Sequence, residues 1–197
     1  MEDKELSHEE SMRLINTMIS KAKKSYVTKG IAPMVWGLLI VICSIITWAQ
    51  LQYNFTIKFD IWLLLIVALV LQVFFAIKER KQRRFTSYEE TATGFVWMAF
   101  GISIFLVSFY NAKYGTSESS TLIMILYGIP TFITGGLVKF RPLIIGGIIC
   151  WVISFISVFT EVKIDMLLMA ACGLFAWIIP GIILWKRYQK RKAAHGI

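Results

Sequence analysis

The least ordinary residue pattern in this chain of 197 residues is Tyr127-Gly128-Ile129-Pro130-Thr131-Phe132-Ile133-Thr134-Gly135-Gly136. A proline inside a helix removes the donor for the carbonyl four residues earlier, and the helix is expected to kink there. Freed carbonyls beside the hydroxyls of Thr131 and Thr134 have the chemistry to coordinate a solute, as in the broken helices of secondary transporters. The same residues admit a purely structural use. Thr131 and Gly135 stand four apart, a small-residue face for close helix packing, and Gly146 and Gly147 answer it on the next apolar segment. Pro180-Gly181 repeats the kink signal near the end of the chain, and Trp151 and Trp177 lie well inside apolar runs. Such indoles either wall a pocket for a hydrophobic or cationic ligand or simply pack. Gly128, Pro130, Thr131, Thr134, Gly135 and Pro180 are therefore the candidate kink or ligand site.

Catalysis asks for more than this. Acid–base, nucleophilic and metal-assisted mechanisms need ionisable groups close to one another. The two histidines, His8 and His195, lie near opposite ends, and Asp60, Glu118, Glu161 and Asp165 are expected in short loops with no recurring spacing. Cys43, Cys150 and Cys172 fall inside apolar segments, where cysteine behaves as a small hydrophobe. Their positions give neither a disulfide framework nor a metal-ligand spacing. The expectation is a protein that is not an enzyme, with no catalytic residue, metal or cofactor. Proton relays and ion-coupled carriers place ionisable groups within membrane spans, and the apolar segments hold none.

The elements that must position these residues follow from composition. With 57% hydrophobic and 17% charged residues, the chain is far more apolar than a water-soluble domain. Its charges are bunched between long apolar runs. Measured against the roughly 20 residues that cross a bilayer, the runs predict an all-α bundle of six transmembrane helices: Ile31 to Gln50, Ile61 to Ile77, Ala92 to Tyr110, Thr121 to Val138, Pro142 to Thr160 and Met166 to Trp185. Residues 1–30 form a cytoplasmic segment, 31–185 the bundle, and 186–197 a basic tail. The first run starts behind thirty residues and lacks a small-x-small cleavage pattern after it, so it is expected to be retained rather than removed as a signal peptide.

Orientation follows from Lys and Arg. The N-terminal segment, the second and fourth loops and the tail carry eighteen of them, and the alternate loops only Lys58, Lys113 and Lys163. By the positive-inside rule both termini are cytoplasmic. The formal charge of +9 is then a topology signal rather than a nucleic-acid footprint, and no nucleic-acid partner is expected. Lys139-Phe140-Arg141-Pro142 leaves room only for a tight hairpin, making the fourth and fifth spans antiparallel neighbours.

Two cytoplasmic features are patterned. Ser7-His8-Glu9-Glu10 fits a capping box that starts a helix, and Met12, Ile15, Ile19, Ala22 and Tyr26 continue it as an apolar stripe. This amphipathic helix over residues 8–26 either lies on the inner leaflet or docks on a second copy or a protein partner. Lys78, Arg80, Lys81, Arg83 and Arg84 extend the second span without a helix breaker. They are the candidate lipid or partner contact, since each basic residue near an anionic leaflet contributes about 1 kcal/mol; a plain topology anchor is the simpler use.

At Lys139-Phe140-Arg141-Pro142-Leu143-Ile144-Ile145-Gly146-Gly147-Ile148-Ile149-Cys150-Trp151 and at Ser7-His8-Glu9-Glu10-Ser11 the chain resembles a group of uncharacterised bacterial multi-pass membrane proteins. The resemblance implies a bacterial cytoplasmic (inner) membrane and brings no activity with it. The expected function is a non-catalytic membrane protein, an interaction or regulatory subunit contacting membrane lipids and another copy or partner. The alternative is a channel or carrier for a small neutral or hydrophobic solute, centred on the Pro130 segment.

Overall fold

The computed structural model describes residues 30–82, 88–115 and 119–194. The amphipathic helix expected over 8–26, together with Arg83, Arg84, Glu118 and His195, lies outside the described residues. Within them the chain is all-helical, with no strand. The helices are α1 (Ile31–Tyr53), α2 (Leu63–Gln82), α3 (Tyr88–Tyr114), α4 (Ser119–Leu137), α5 (Arg141–Ser157), α6 (Val162–Gly173) and α7 (Ile179–Ala194). A π-helical turn, Leu174–Ile178, joins α6 to α7 without a break.

Four of these stretches are long and apolar enough to cross a membrane: Ile31–Tyr53, Tyr88–Tyr114, Ser119–Leu137 and Val162–Lys190. Two further apolar helices, Leu63–Phe74 and Arg141–Ser157, are shorter. The surface is that of a membrane protein turned toward lipid. Ile66, Val70 and Phe74 on α2, Ile102, Phe105 and Phe109 on α3, and Ile145, Val152 and Phe155 on α5 are all exposed. Water would not tolerate so continuous an apolar patch on a monomer.

The strongest packing joins α4 to α5. Their connection is a Schellman turn. Lys139 adopts the left-handed conformation at φ 51°, Phe140 N donates to Gly135 O at 2.8 Å and Lys139 N to Gly136 O at 3.2 Å, which satisfies the last carbonyls of α4. Pro142 then sits at the start of α5, where its missing N–H is harmless. Buried Phe140 is covered by the Arg187 guanidinium, 5.0 Å from its ring centroid, so the hairpin also anchors α7.

Next in extent is α1 against α6 and the π turn. The two run antiparallel and meet through glycine. A Cβ on Gly37 would lie 3.0 Å from Gly173 O, and one on Gly181 3.0 Å from Gly30 O. Backbones this close leave no room for a side chain, and close approach of small residues is what holds helices together in lipid. α3 lays one face, with Trp97, Phe100 and Ile104, on the core. α2 is attached more sparsely, by the Trp36 indole donating to Gln72 Oε1 and by the Trp62 indole donating to Thr47 Oγ1 at 3.2 Å.

Candidate functional site

Five of the six candidate site residues lie on α4, which runs through Pro130 as one helix. Gly128, Pro130, Thr131, Thr134 and Gly135 are all buried. The hydroxyl of Thr131 donates to Tyr127 O at 2.8 Å, the back-bond available to a threonine inside a helix. It also accepts from Trp177 Nε1 at 3.1 Å. Gly128 makes room for the Trp151 ring, which lies where a Cβ would stand, and that indole donates to Ile125 O at 3.2 Å. Gly135 faces the start of α5, its Cβ position 2.6 Å from Ile144 N. Thr134 differs from its neighbours, because its buried hydroxyl has no hydrogen-bond partner.

The glycines expected to answer across the α4–α5 contact divide their work. A Cβ on Gly147 would stand 3.0 Å from Gly128 O, within the expected contact, whereas one on Gly146 would stand 2.8 Å from the Cα of Ala176. Gly146 therefore serves the π turn rather than α4.

Pro180, also buried, lies on α7 just after the π turn. There the Ile179 N–H reaches five residues back to Leu174 O, and the wider turn accommodates a proline that cannot donate. The turn carries Trp177 into the middle of the bundle. Its ring centroid is 5.3 Å from Tyr127, 5.6 Å from Trp97 and 6.4 Å from Trp36, all tilted or edge-on. Phe100 closes the set at 5.5 Å from both Tyr127 and Trp97. These edge-to-face contacts are the favoured aromatic geometry, and the rings fill one another's space. Trp177 is thus the hub that joins the α4 proline segment to the α6–α7 irregularity, with Thr131 as its polar contact. Trp151 stands apart from it, on the α4–α5 surface.

A second constellation contradicts the loop placement of Asp165. This residue lies in the first turn of α6 and is 3% exposed. Ser120 Oγ donates to its Oδ2 at 3.0 Å and Thr160 Oγ1 to its Oδ1 at 2.6 Å. Beside them the Thr121 and Ser157 hydroxyls pair at 2.7 Å. The carboxylate thereby ties the start of α4, the α5–α6 turn and the start of α6 together. A buried carboxylate is tolerable only when its oxygens are hydrogen-bonded. The clue in the chain was the bunching of hydroxyls at segment ends, Ser119-Ser120-Thr121 and Ser157 to Thr160. Seeing that Asp165 accepts from Ser120 and Thr160 required the helices to be placed. Glu161, by contrast, stays exposed just before α6, and Asp60 lies in the α1–α2 loop, where it accepts from Trp62 N.

The cysteines are all free and buried. Cys43 Sγ lies 3.7 Å from Ile61 O, and Cys150 and Cys172 belong to one buried cluster. Among the described residues no three His, Cys, Asp or Glu side chains converge. Of the basic candidates, Lys78, Arg80 and Lys81 fall on the last turns of α2, which continues to Gln82.

No protein-family model matches the chain, and no curated protein or solved structure is significantly similar to it. Any functional reading therefore rests on this geometry. In chemical terms the interior offers aromatic faces, thiols and hydroxyls within the bundle, and one hydrogen-bonded carboxylate at its end.

Proposed function

We propose that the protein is a non-catalytic subunit of the bacterial cytoplasmic membrane that acts by interaction or regulation, with six spans and both termini cytoplasmic. The observation that carries this reading is the closure of the α4 proline segment by the chain's own side chains. Thr131 is engaged between Tyr127 O and Trp177, and the Gly128 and Gly135 faces are covered by Trp151 and Ile144. A carrier would leave that space for its solute. The six-span count adds α2 and α5 to the four longer stretches on the alternation of basic loops. At about 1.5 Å per residue a helix of α5's length reaches roughly 26 Å, within the mismatch that local bilayer thinning absorbs.

The proposed contacts are anionic headgroups at Lys78, Arg80, Lys81, Arg83 and Arg84, and a second copy or protein partner at residues 8–26. Deleting residues 1–27 tests the second of these, since assembly on native gels should fall, and replacing the five basic residues by Gln tests the first, since retention of anionic lipid by the purified protein should fall; unchanged values in both would sink the reading. Reporter fusions in successive loops check the topology, with cytoplasmic signal expected at residues 85 and 140 and periplasmic signal at 56, 116 and 160.

One observation favours the carrier alternative. Thr134, one turn after Pro130 on α4, keeps a buried, unpartnered hydroxyl, and such a group is costly unless something visits it. Thr134→Val should leave the subunit folded; abolished uptake of a small neutral solute into proteoliposomes would establish transport.

A further inference from the structure

Arg187 on α7 and the α4–α5 hairpin meet at one corner of the bundle, where the guanidinium carbon lies 5.0 Å from the centroid of the buried Phe140 ring. The turn fixes that ring, since Phe140 N donates to Gly135 O at 2.8 Å. Lys139 and Arg141 flank Phe140 in the chain, so their Cα atoms stand about 3.8 Å from its own. Lys186 adjoins Arg187, and Lys190 follows Arg187 by about one helical turn on the same side of α7. Five exposed cations from two separate elements are thus gathered at this corner. Among the described residues no ion pair or side-chain hydrogen bond engages any of them. Like charges brought this close repel unless an anion sits among them.

From the cations inward, α5 turns an apolar face outward. Arg141, Ile145, Ile148 and Val152 recur at spacings of four, three and four, which puts them on one stripe of the helix, and all four are exposed. A cationic end above a bare hydrocarbon stripe matches both parts of an anionic phospholipid. We infer that this corner binds one such lipid, its phosphodiester held by Arg187 and Arg141 among the lysines and an acyl chain lying along the α5 stripe. The guanidinium is the planar donor that meets phosphate oxygens two at a time, and the contact with Phe140 limits where that of Arg187 can swing. Basic pockets between membrane helices hold such headgroups generally. The site is separate from the proposed contact at residues 78–84, which begins on the last turns of α2. It rests on the membrane reading of the chain and not on that contact.

The test places the full chain in phosphatidylcholine nanodiscs doped with phosphatidylglycerol that carries a photoreactive diazirine on its acyl chain. Irradiation and peptide mapping should recover the label on α5 at residues 145–152. Retention of unlabelled phosphatidylglycerol, read by native mass spectrometry, should fall about fivefold for each of Arg141→Gln and Arg187→Gln, the effect of one surface cation beside an anionic lipid. Lys113→Gln, on the last turn of α3, should leave it unchanged. Arg187→Lys keeps the charge and loses the planar fork, so it should also bind more weakly; wild-type retention there would reduce the corner to general attraction and overturn the inference. Label on α2 alone would overturn it too while leaving the contact at residues 78–84 standing, and label on neither helix would remove both. Displacement of the lipid by excess inorganic phosphate would assign the corner to a soluble anion instead. The labelling pattern is read on the wild-type chain and needs no variant to fold.

Discussion

α4 and α3 are both long, apolar helices, yet they are held in opposite ways. Half of the membrane-length window of α4 is buried by the rest of the chain, against 6% of that of α3. α4 carries small residues where neighbours approach, at Gly128, Thr131 and Gly135. α3 carries Phe95, Ile102, Phe105 and Phe109 outward, and a Cβ added at Gly101 would meet nothing within 4 Å. α2 is tied through the Trp36–Gln72 hydrogen bond and, just before its first turn, the Trp62–Thr47 one, with Leu65 packed on the core. The difference teaches what adhesion means in lipid. Hydrocarbon solvates an apolar face as well as a neighbouring helix does, so apolar character alone binds nothing. Helices join where backbones can approach or where a polar group would otherwise be stranded.

The largest expected break in this comparison comes from a paired substitution. Gly146→Leu drives a side chain into the Ala176 backbone and should cost about 3 kcal/mol or prevent folding, as overpacking does in close-packed interiors. Gly101→Leu, into open space, should stay within about 0.5 kcal/mol of wild type. Thermal unfolding in detergent, followed by size-exclusion recovery, separates the two; equal effects would mean that the close approach is not what holds the bundle.

A smaller effect is expected at the carboxylate. Asp165→Ala strands the buried Ser120 hydroxyl and leaves Thr160 only its Ser157 O acceptor, and should destabilise by about 2 kcal/mol. Asp165→Asn keeps an acceptor for one of them and should cost less, and the order of the two midpoints is the measurement. Trp177→Phe keeps an aromatic ring beside Tyr127 but loses the donor to Thr131, for about 1 kcal/mol. Tryptophan fluorescence and the unfolding midpoint report it together.

The smallest change sharpens the comparison most. Gln72→Leu with Thr47→Val removes both acceptors of the α2 tethers, at about 0.6 kcal/mol each by the average for hydrogen bonds between membrane helices. Hydrogen exchange should rise in α2 while α4 to α7 keep their protection. Equal loosening everywhere would show that α2 is part of the packed unit after all.

Much of the architecture was legible before any helix was placed. The apolar runs announce helices because their length and lack of charge leave the backbone no other way to satisfy its own hydrogen bonds in lipid. Lys139 to Pro142 announce the α4–α5 hairpin because so short a connection permits only antiparallel neighbours. Thr131 and Gly135 were read as a contact face because small residues four apart on an apolar helix let a neighbour approach. The partner of each was harder to read. Gly147 meets α4 as expected, whereas Gly146, adjacent in the chain, points to the π turn.

Residue order by itself settles the helical class, because it follows from local periodicity and local chemistry. Three things waited for the tertiary structure. Asp165 became a buried tie rather than a loop acid. Trp177 became the centre of an aromatic cluster, because the π turn rotates it inward. Cys150 and Cys172 came into one buried cluster. Each depends on which faces two helices turn toward one another, and that is decided by the angle and register at which they cross. Those come from packing summed over both helices, and no local stretch of sequence contains them.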